Sequence, residues 1–282
     1  MTQPNLSARA PVTQARSTGD RIANAAWFEW LARAGLVARG AVYAIIGVLA
    51  FELAIGAGGK TTNQKGALAE LAQQSGGKIL LVLMAIGLFG YAFWRLLRAA
   101  IGHGPEESDD GKERLKGLAS GIAYGSLFIT CVAILAGSGK SGGGSGSPDK
   151  AAGGVLDWPA GQVIVAAAGL LLIGVGLYQG YEGIKEKFLE KSKTEQMSPT
   201  TKRWFTRLGK VGHLSRMVVF GLIGWFLFKA AIDYKPSEAV SVDGALAHLH
   251  KTTFGPVALG IVAVGLIAFA AYSMADARFR RV

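Results

Sequence analysis

The sequence predicts an all-α, polytopic transmembrane bundle of six helices, built from three parallel two-helix repeats. Three observations predict it: six long apolar runs, a spacing pattern that recurs along the chain, and a one-sided distribution of Lys and Arg. The six runs are Leu36–Ile55, Ile79–Leu97, Leu118–Ala136, Val163–Tyr181, Val211–Ile232 and Val257–Met274. A bilayer-spanning helix needs ~20 apolar residues, and each run is long enough once tilt is allowed. None carries the polar face of a surface helix in a soluble protein. Half the chain is apolar, 17% is charged, and the mean hydropathy is +0.33.

The recurring pattern can be followed in order. The hexapeptide Gly66-Ala67-Leu68-Ala69-Glu70-Leu71 returns as Gly244-Ala245-Leu246-Ala247-His248-Leu249. Eleven residues after each first Gly stands another, Gly77 and Gly255, and seventeen further on an aromatic, Trp94 and Tyr272. The middle of the chain keeps the last step as Gly161 and Tyr178. Upstream, Trp27-Phe28 and Trp204-Phe205 precede Gly35 and Gly212 by eight residues, and Arg39 and Arg216 follow those glycines by four. The chain thus divides into a polar N-terminal tail, 1–20, expected to be disordered, and repeats at 21–104, 112–191 and 202–282. The tail lacks an apolar core followed by a cleavage site, so no signal peptide is read. The segments Gly66–Leu71 and Gly244–Leu249 are expected to be amphipathic and to lie against the outer face.

Twenty Lys and Arg fall on the side of both termini and eight on the other, with Arg39 and Arg216 inside the runs. The positive-inside rule then places both termini in the cytoplasm of a multi-pass bacterial inner-membrane protein. The net charge of +11 reads as topology plus attraction to anionic headgroups of the bilayer, and not as nucleic-acid binding.

Two segments, Leu31-Ala-Arg-Ala-Gly35-Leu-Val-Ala-Arg39-Gly40-Ala-Val-Tyr43 with Gly47, and Leu208-Gly-Lys-Val-Gly212-His-Leu-Ser-Arg216-Met-Val-Val-Phe220 with Gly224, carry a resemblance. Each resembles the start of the repeat in bacterial membrane proteins catalogued as domain of unknown function 1206. The likeness covers about Trp27 to Arg280. It implies three two-helix repeats and no known activity. The middle copy departs from it, with Ala123 or Tyr124 at the position of Arg39.

Arg39 and Arg216 are the sharpest candidates for a site. An arginine at membrane depth costs about 2.5–3.5 kcal/mol on insertion scales, so it snorkels, pairs with an acid, or serves an anion or headgroup. Four residues after the aromatic of each second helix stand Arg98, Glu182 and Asp276, and the two acids are expected to pair with the two arginines. Gly117, Gly121 and Gly125, with Gly176 and Gly180, are spaced for close helix packing, expected to tighten the middle unit. Trp27, Phe28, Trp30, Trp204 and Phe205 are expected at headgroup level.

Nothing indicates catalysis, a cofactor or a metal. The chain has no Ser/His/Asp set, no HExxH and no nucleotide fingerprint, and Gly137–Pro148 reads as a flexible linker rather than a phosphate loop. His248 and His250 supply two of the ligands a metal needs. The lone Cys131 sits inside the third run. The sequence therefore points to a non-enzymatic helix-packing module that binds lipid or a membrane-protein partner. The alternative is a small-solute channel or transporter with a path near the pseudo-threefold axis, which needs polar residues at mid-depth; Ser126, Thr130 and Ser273 are the few present.

Overall fold

The computed structural model describes residues 26–101, 111–137 and 148–281. The 1–20 tail and most of the Gly/Ser linker lie outside them, as do the side chains of Trp27, Phe28 and Arg98. The described chain is helical without a strand, and six helices are long and apolar enough to cross a membrane. The protein is a multi-pass membrane protein.

Each unit contains a long helix, a short helix and a second long helix. The first unit has α1 (Ala26–Ala54), α2 (Gln64–Gln73) and α3 (Gly77–Ile101). The second has α4 (Gly111–Leu135), α5 (Pro148–Leu156) and α6 (Gly161–Ile184). The third has α7 (Pro199–Ile232), α8 (Val242–His250) and α9 (Gly255–Phe279). The described chain starts and finishes at one end of the bundle, the basic end.

The recurring glycine before each second long helix has one steric cause. A Cβ at Gly77, Gly161 or Gly255 would strike the carbonyl of Leu71, Val155 or His250, at the end of the preceding short helix. The middle unit keeps this glycine because it has a short helix too. The sequence hides α5, because Gly153 and Gly154 are poor helix formers and the segment follows a Gly/Ser-rich run. Asn63 caps α2 by accepting from the Gly66 N–H at 3.0 Å. The buried faces of α2 and α8, Ala67, Leu68 and Leu71, then Ala245 and Leu246, pack inward.

The other two recurring glycines make the helix crossings. Gly35 sits against Tyr91 and the Gly87 carbonyl, and Gly212 against Phe269, so each closes α1 on α3 or α7 on α9 within its own unit. Gly47 faces the Ala263 carbonyl at 3.1 Å and Gly224 the Gly169 carbonyl at 2.7 Å, measured from an added Cβ. These seal α1 to α9 and α7 to α6, between units. Small residues allow such approach where no hydrophobic drive exists between helices.

The long helices therefore form an arc: α4, α3, α1, α9, α7, α6. Among the described residues, α4 and α6 make no extended contact with one another, so the middle unit is splayed. This corrects the expectation of a tight middle pair. Gly117 and Gly121 pack on Ala99 and Leu96 of α3, and Gly176 and Gly180 on Met217 of α7, while a Cβ at Gly125 would meet nothing within 4 Å. The glycine that closes the other two units falls at Ala119 or Ser120 here. Only 11% of the α4 span is buried, against 56% for α9.

Inside the arc one apolar cluster joins Val42 and Ile46 of α1, Leu88 of α3, Cys131 of α4, Val219 of α7 and Leu266 of α9. Ser126 and Thr130 give their hydroxyl protons to carbonyls of their own helix, at Ala123 and Ser126.

Candidate functional site

The basic end is organised around Asp276, which is fully buried near the end of α9. Its carboxylate accepts from Ser192 Oγ at 3.0 Å and from Arg280 Nη1 at 3.2 Å, and Arg39 Nη2 stands at 3.8 Å. The segment joining α6 to α7 thereby folds back onto the end of α9. The Lys193 N–H donates to the Phe279 carbonyl at 2.7 Å, and the Arg281 N–H to that of Lys191 at 3.1 Å. Arg281 also reaches Glu195 at 3.2 Å; the Glu195 carboxylate accepts from its own backbone N–H, and that bond and this arginine hold the carboxyl below its usual range.

This fold-back buries Phe188 against Phe205 and Tyr272, with ring centroids 6.2 and 5.2 Å away. Phe205 is 2% exposed, which corrects its placement at headgroup level; Trp204 and Trp30 are exposed, at 57% and 62%. At 34 residues, α7 is about 51 Å long, well beyond a ~30 Å hydrocarbon core, and Trp204 and Phe205 lie on its projecting first turns. Ser198 caps that helix, accepting from the Thr201 N–H at 3.2 Å, with Pro199 in its first turn.

Arg216 is held differently from Arg39. Among the described residues no carboxylate lies within 4.0 Å of it. Its guanidinium lies 4.5 Å from the Phe269 ring centroid, 5.3 Å from that of Phe220 and 5.6 Å from that of Tyr43. Arg39 shares the Phe269 ring, at 5.2 Å. The Gln179 amide settles with its oxygen toward Arg216, accepting from Nη1 at 3.1 Å and Nη2 at 3.0 Å, while its NH₂ donates to His213 Nδ1 at 2.8 Å. The Nε of both arginines is buried and lacks an acceptor. Aromatic faces stabilise a guanidinium from above and below but take no in-plane N–H bond. Each arginine therefore keeps donor capacity.

Both helices of the splayed unit reach this cluster. Gln179 comes from α6, and Tyr124 of α4 stands within electrostatic reach of both arginines. Arg39, Tyr43, Tyr124, Gln179, Arg216 and Phe220 are all partly exposed, although they lie inside spanning helices. Together they outline a polar recess toward the basic end, reached by Tyr124 of α4 and Gln179 of α6. Two guanidiniums, an amide, a phenol and aromatic faces converge there; these groups can hold an anion.

Comparison with known proteins follows the same division. The family model described as Domain of Unknown Function (DUF1206) matches three times in succession, at residues 34–113, 115–186 and 211–280. The chain belongs to the DUF1206 family. It is also similar to the uncharacterized protein YxxB of Bacillus subtilis (strain 168), with 31% identity over 251 residues, covering 88% of this chain and 90% of that one. No solved structure matches.

All three DUF1206 segments contribute to the recess: Arg39 and Tyr43 from the first, Tyr124 and Gln179 from the second, Arg216, Phe220 and Phe269 from the third. The candidate acids divide. Asp276 stands beside Arg39, whereas Glu182 accepts from Lys191 at 3.0 Å, a partner nine residues along its own chain. Gln179, His213, Phe269 and Ser192 were not singled out from sequence. Phe269 had a signal: it stands three residues before Tyr272, as Tyr91 stands before Trp94. Gln179 had none, because an amide among apolar residues reads as tolerated rather than placed. At the opposite end, His248 packs on Phe226 with centroids 4.4 Å apart.

Proposed function

We propose that this DUF1206 protein is a non-catalytic lipid-binding module of the bacterial inner membrane, with both ends of its chain cytoplasmic. One observation carries this reading: two partly exposed intramembrane arginines, each with an Nε that lacks an acceptor, are met by side chains from both helices of the splayed middle unit. A recess reached from the side of a bundle is open to membrane molecules. The apolar cluster along the inside of the arc supports binding at the flank rather than conduction through the centre. The groups that converge suit binding more than turnover, since none forms a nucleophile and base pair. The twenty-to-eight Lys and Arg division supports the orientation and sets the recess in the leaflet that carries anionic lipid.

The test is lipid retention. Protein extracted in mild detergent should carry phospholipid through gel filtration, and spin-labelled lipid around the reconstituted protein should show a motionally restricted fraction larger than around a plain six-helix control. Complete delipidation without loss of fold, together with a control-sized restricted fraction, would overturn the reading.

A further inference from the structure

Resting on that reading, we infer that the recess holds the phosphate of an anionic lipid headgroup, bound by Arg216 and Arg39, with the acyl chains leaving between α4 and α6. Charge is the first argument. Two guanidiniums meet one carboxylate, Asp276, which already accepts from Arg280 and Ser192. Arg216 has only an amide oxygen in its plane and aromatic rings on its faces. An anion supplies the acceptors both arginines lack, and phosphate matches their planar donor geometry.

Access is the second argument, and it separates lipid from a free ion. From the basic end the recess is covered: the 185–198 connection is fastened to α9 through Lys193 and Phe279, Lys191 and Arg281, and Ser192 and Asp276. Phe188, Phe205 and Tyr272 pack beneath it. On the side, α4 and α6 make no extended contact among the described residues. The two helices that part carry exposed apolar residues, Ile122 and Ile129 on α4 and Leu171 and Val175 on α6, a surface suited to acyl chains and not to a hydrated ion. The third argument is the departure of the middle repeat. Where units one and three place an arginine, unit two places Ala123 or Tyr124, neither of them charged. The middle unit therefore adds no third cation there, and the arginines of units one and three are left to hold the anion.

The experiment counts bound lipid by native mass spectrometry. Delipidated protein is mixed with detergent micelles containing dioleoyl phosphatidylglycerol or dioleoyl phosphatidylcholine. Wild type should retain phosphatidylglycerol in preference. Arg216→Gln and Arg39→Gln should each weaken that retention by about tenfold or more, the loss of a charge-assisted bond, and leave phosphatidylcholine unchanged. Arg216→Lys keeps the charge without the planar fork and should fall between, which guards against a variant that fails to fold; shielding of Cys131 from maleimide reports the fold in every sample. Equal phosphatidylglycerol retention by wild type and Gln variants would overturn the arginine site while leaving lipid binding intact. Retention of neither lipid would overturn lipid binding itself. Inorganic phosphate that displaces phosphatidylglycerol at matched concentration would assign the site to a free anion and overturn the lipid inference.

Discussion

Gly169 and Gly224 meet backbone to backbone where α6 crosses α7. A Cβ built on either comes within 2.8 Å of the other's carbonyl oxygen. No side chain can rotate away there, so the helices themselves must part. Gly169→Ala and Gly224→Ala should each destabilise the protein by about 1–3 kcal/mol, the cost of overpacking. Gly125→Ala, facing open space, should be neutral or stabilising by up to about 1 kcal/mol through helix propensity. Thermal exposure of Cys131 to maleimide in detergent measures all three.

Gly121 offers a graded comparison. Its added Cβ would meet Leu96 Cδ2 and Cγ at 2.7 Å, atoms at the mobile end of a side chain, and the Leu96 nitrogen only at 3.3 Å. Gly121→Ala should cost less than Gly224→Ala in the same assay, and Gly121→Leu should release α4 from α3. An equal loss for both alanine variants would contradict this account of the contact.

Asp276 is the residue whose loss should matter most at the basic end. Asp276→Leu strands Arg39 and Arg280 and frees Ser192, and breaking a buried pair from one side costs on the order of 3–5 kcal/mol. Arg280→Leu should cost less, because Asp276 keeps two partners, yet more than the exposed control Arg203→Leu. Denaturation midpoints that rank the three otherwise would reject Asp276 as the hub.

Sidedness is testable with the chain's own chemistry. Cys131, the sole cysteine, is fully buried and should stay unlabelled in folded protein. Lys191→Cys should resist a membrane-impermeant thiol reagent in intact cells, and Lys251→Cys should react. The reverse pattern would invert the orientation.

Liposomes carrying the purified protein should match empty liposomes in solute flux. Inside the arc, Val42, Ile46, Cys131 and Val219 share one apolar cluster, with no ring of polar groups to keep water in place. Saturable uptake of any small solute would displace the binding reading in favour of transport.

The spans were legible because Leu, Ile and Val runs of membrane length have few alternatives, and the repeat was legible because each spacing marks a backbone contact. Gly77, Gly161 and Gly255 recur because a carbonyl fills the place of their Cβ. The splay was less legible. The missing glycine at Ala119 or Ser120 is visible in the sequence, but its meaning depends on knowing that Gly35 and Gly212 close each pair. Local chemistry misled at Glu182, where a lysine nine residues on competes with a distant arginine. Phe205 misled because its burial depends on a connection that folds back only once α9 is in place.

The α1–α9 seam ties together two helices far apart in the chain. Gly40 faces Met274 and the Ala270 carbonyl, and Gly47 faces Ile267 and the Ala263 carbonyl. Because α1 is made before α9, this face of α1 has no partner until α9 has been made. A chain stopped after α7 can form the α1–α3 and α6–α7 crossings, yet it presents a stripe of small residues to any passing helix. Addition of α9 is thus what latches the molecule, and a chain cut before α9 yields an unlatched arc rather than a shorter version of the same bundle.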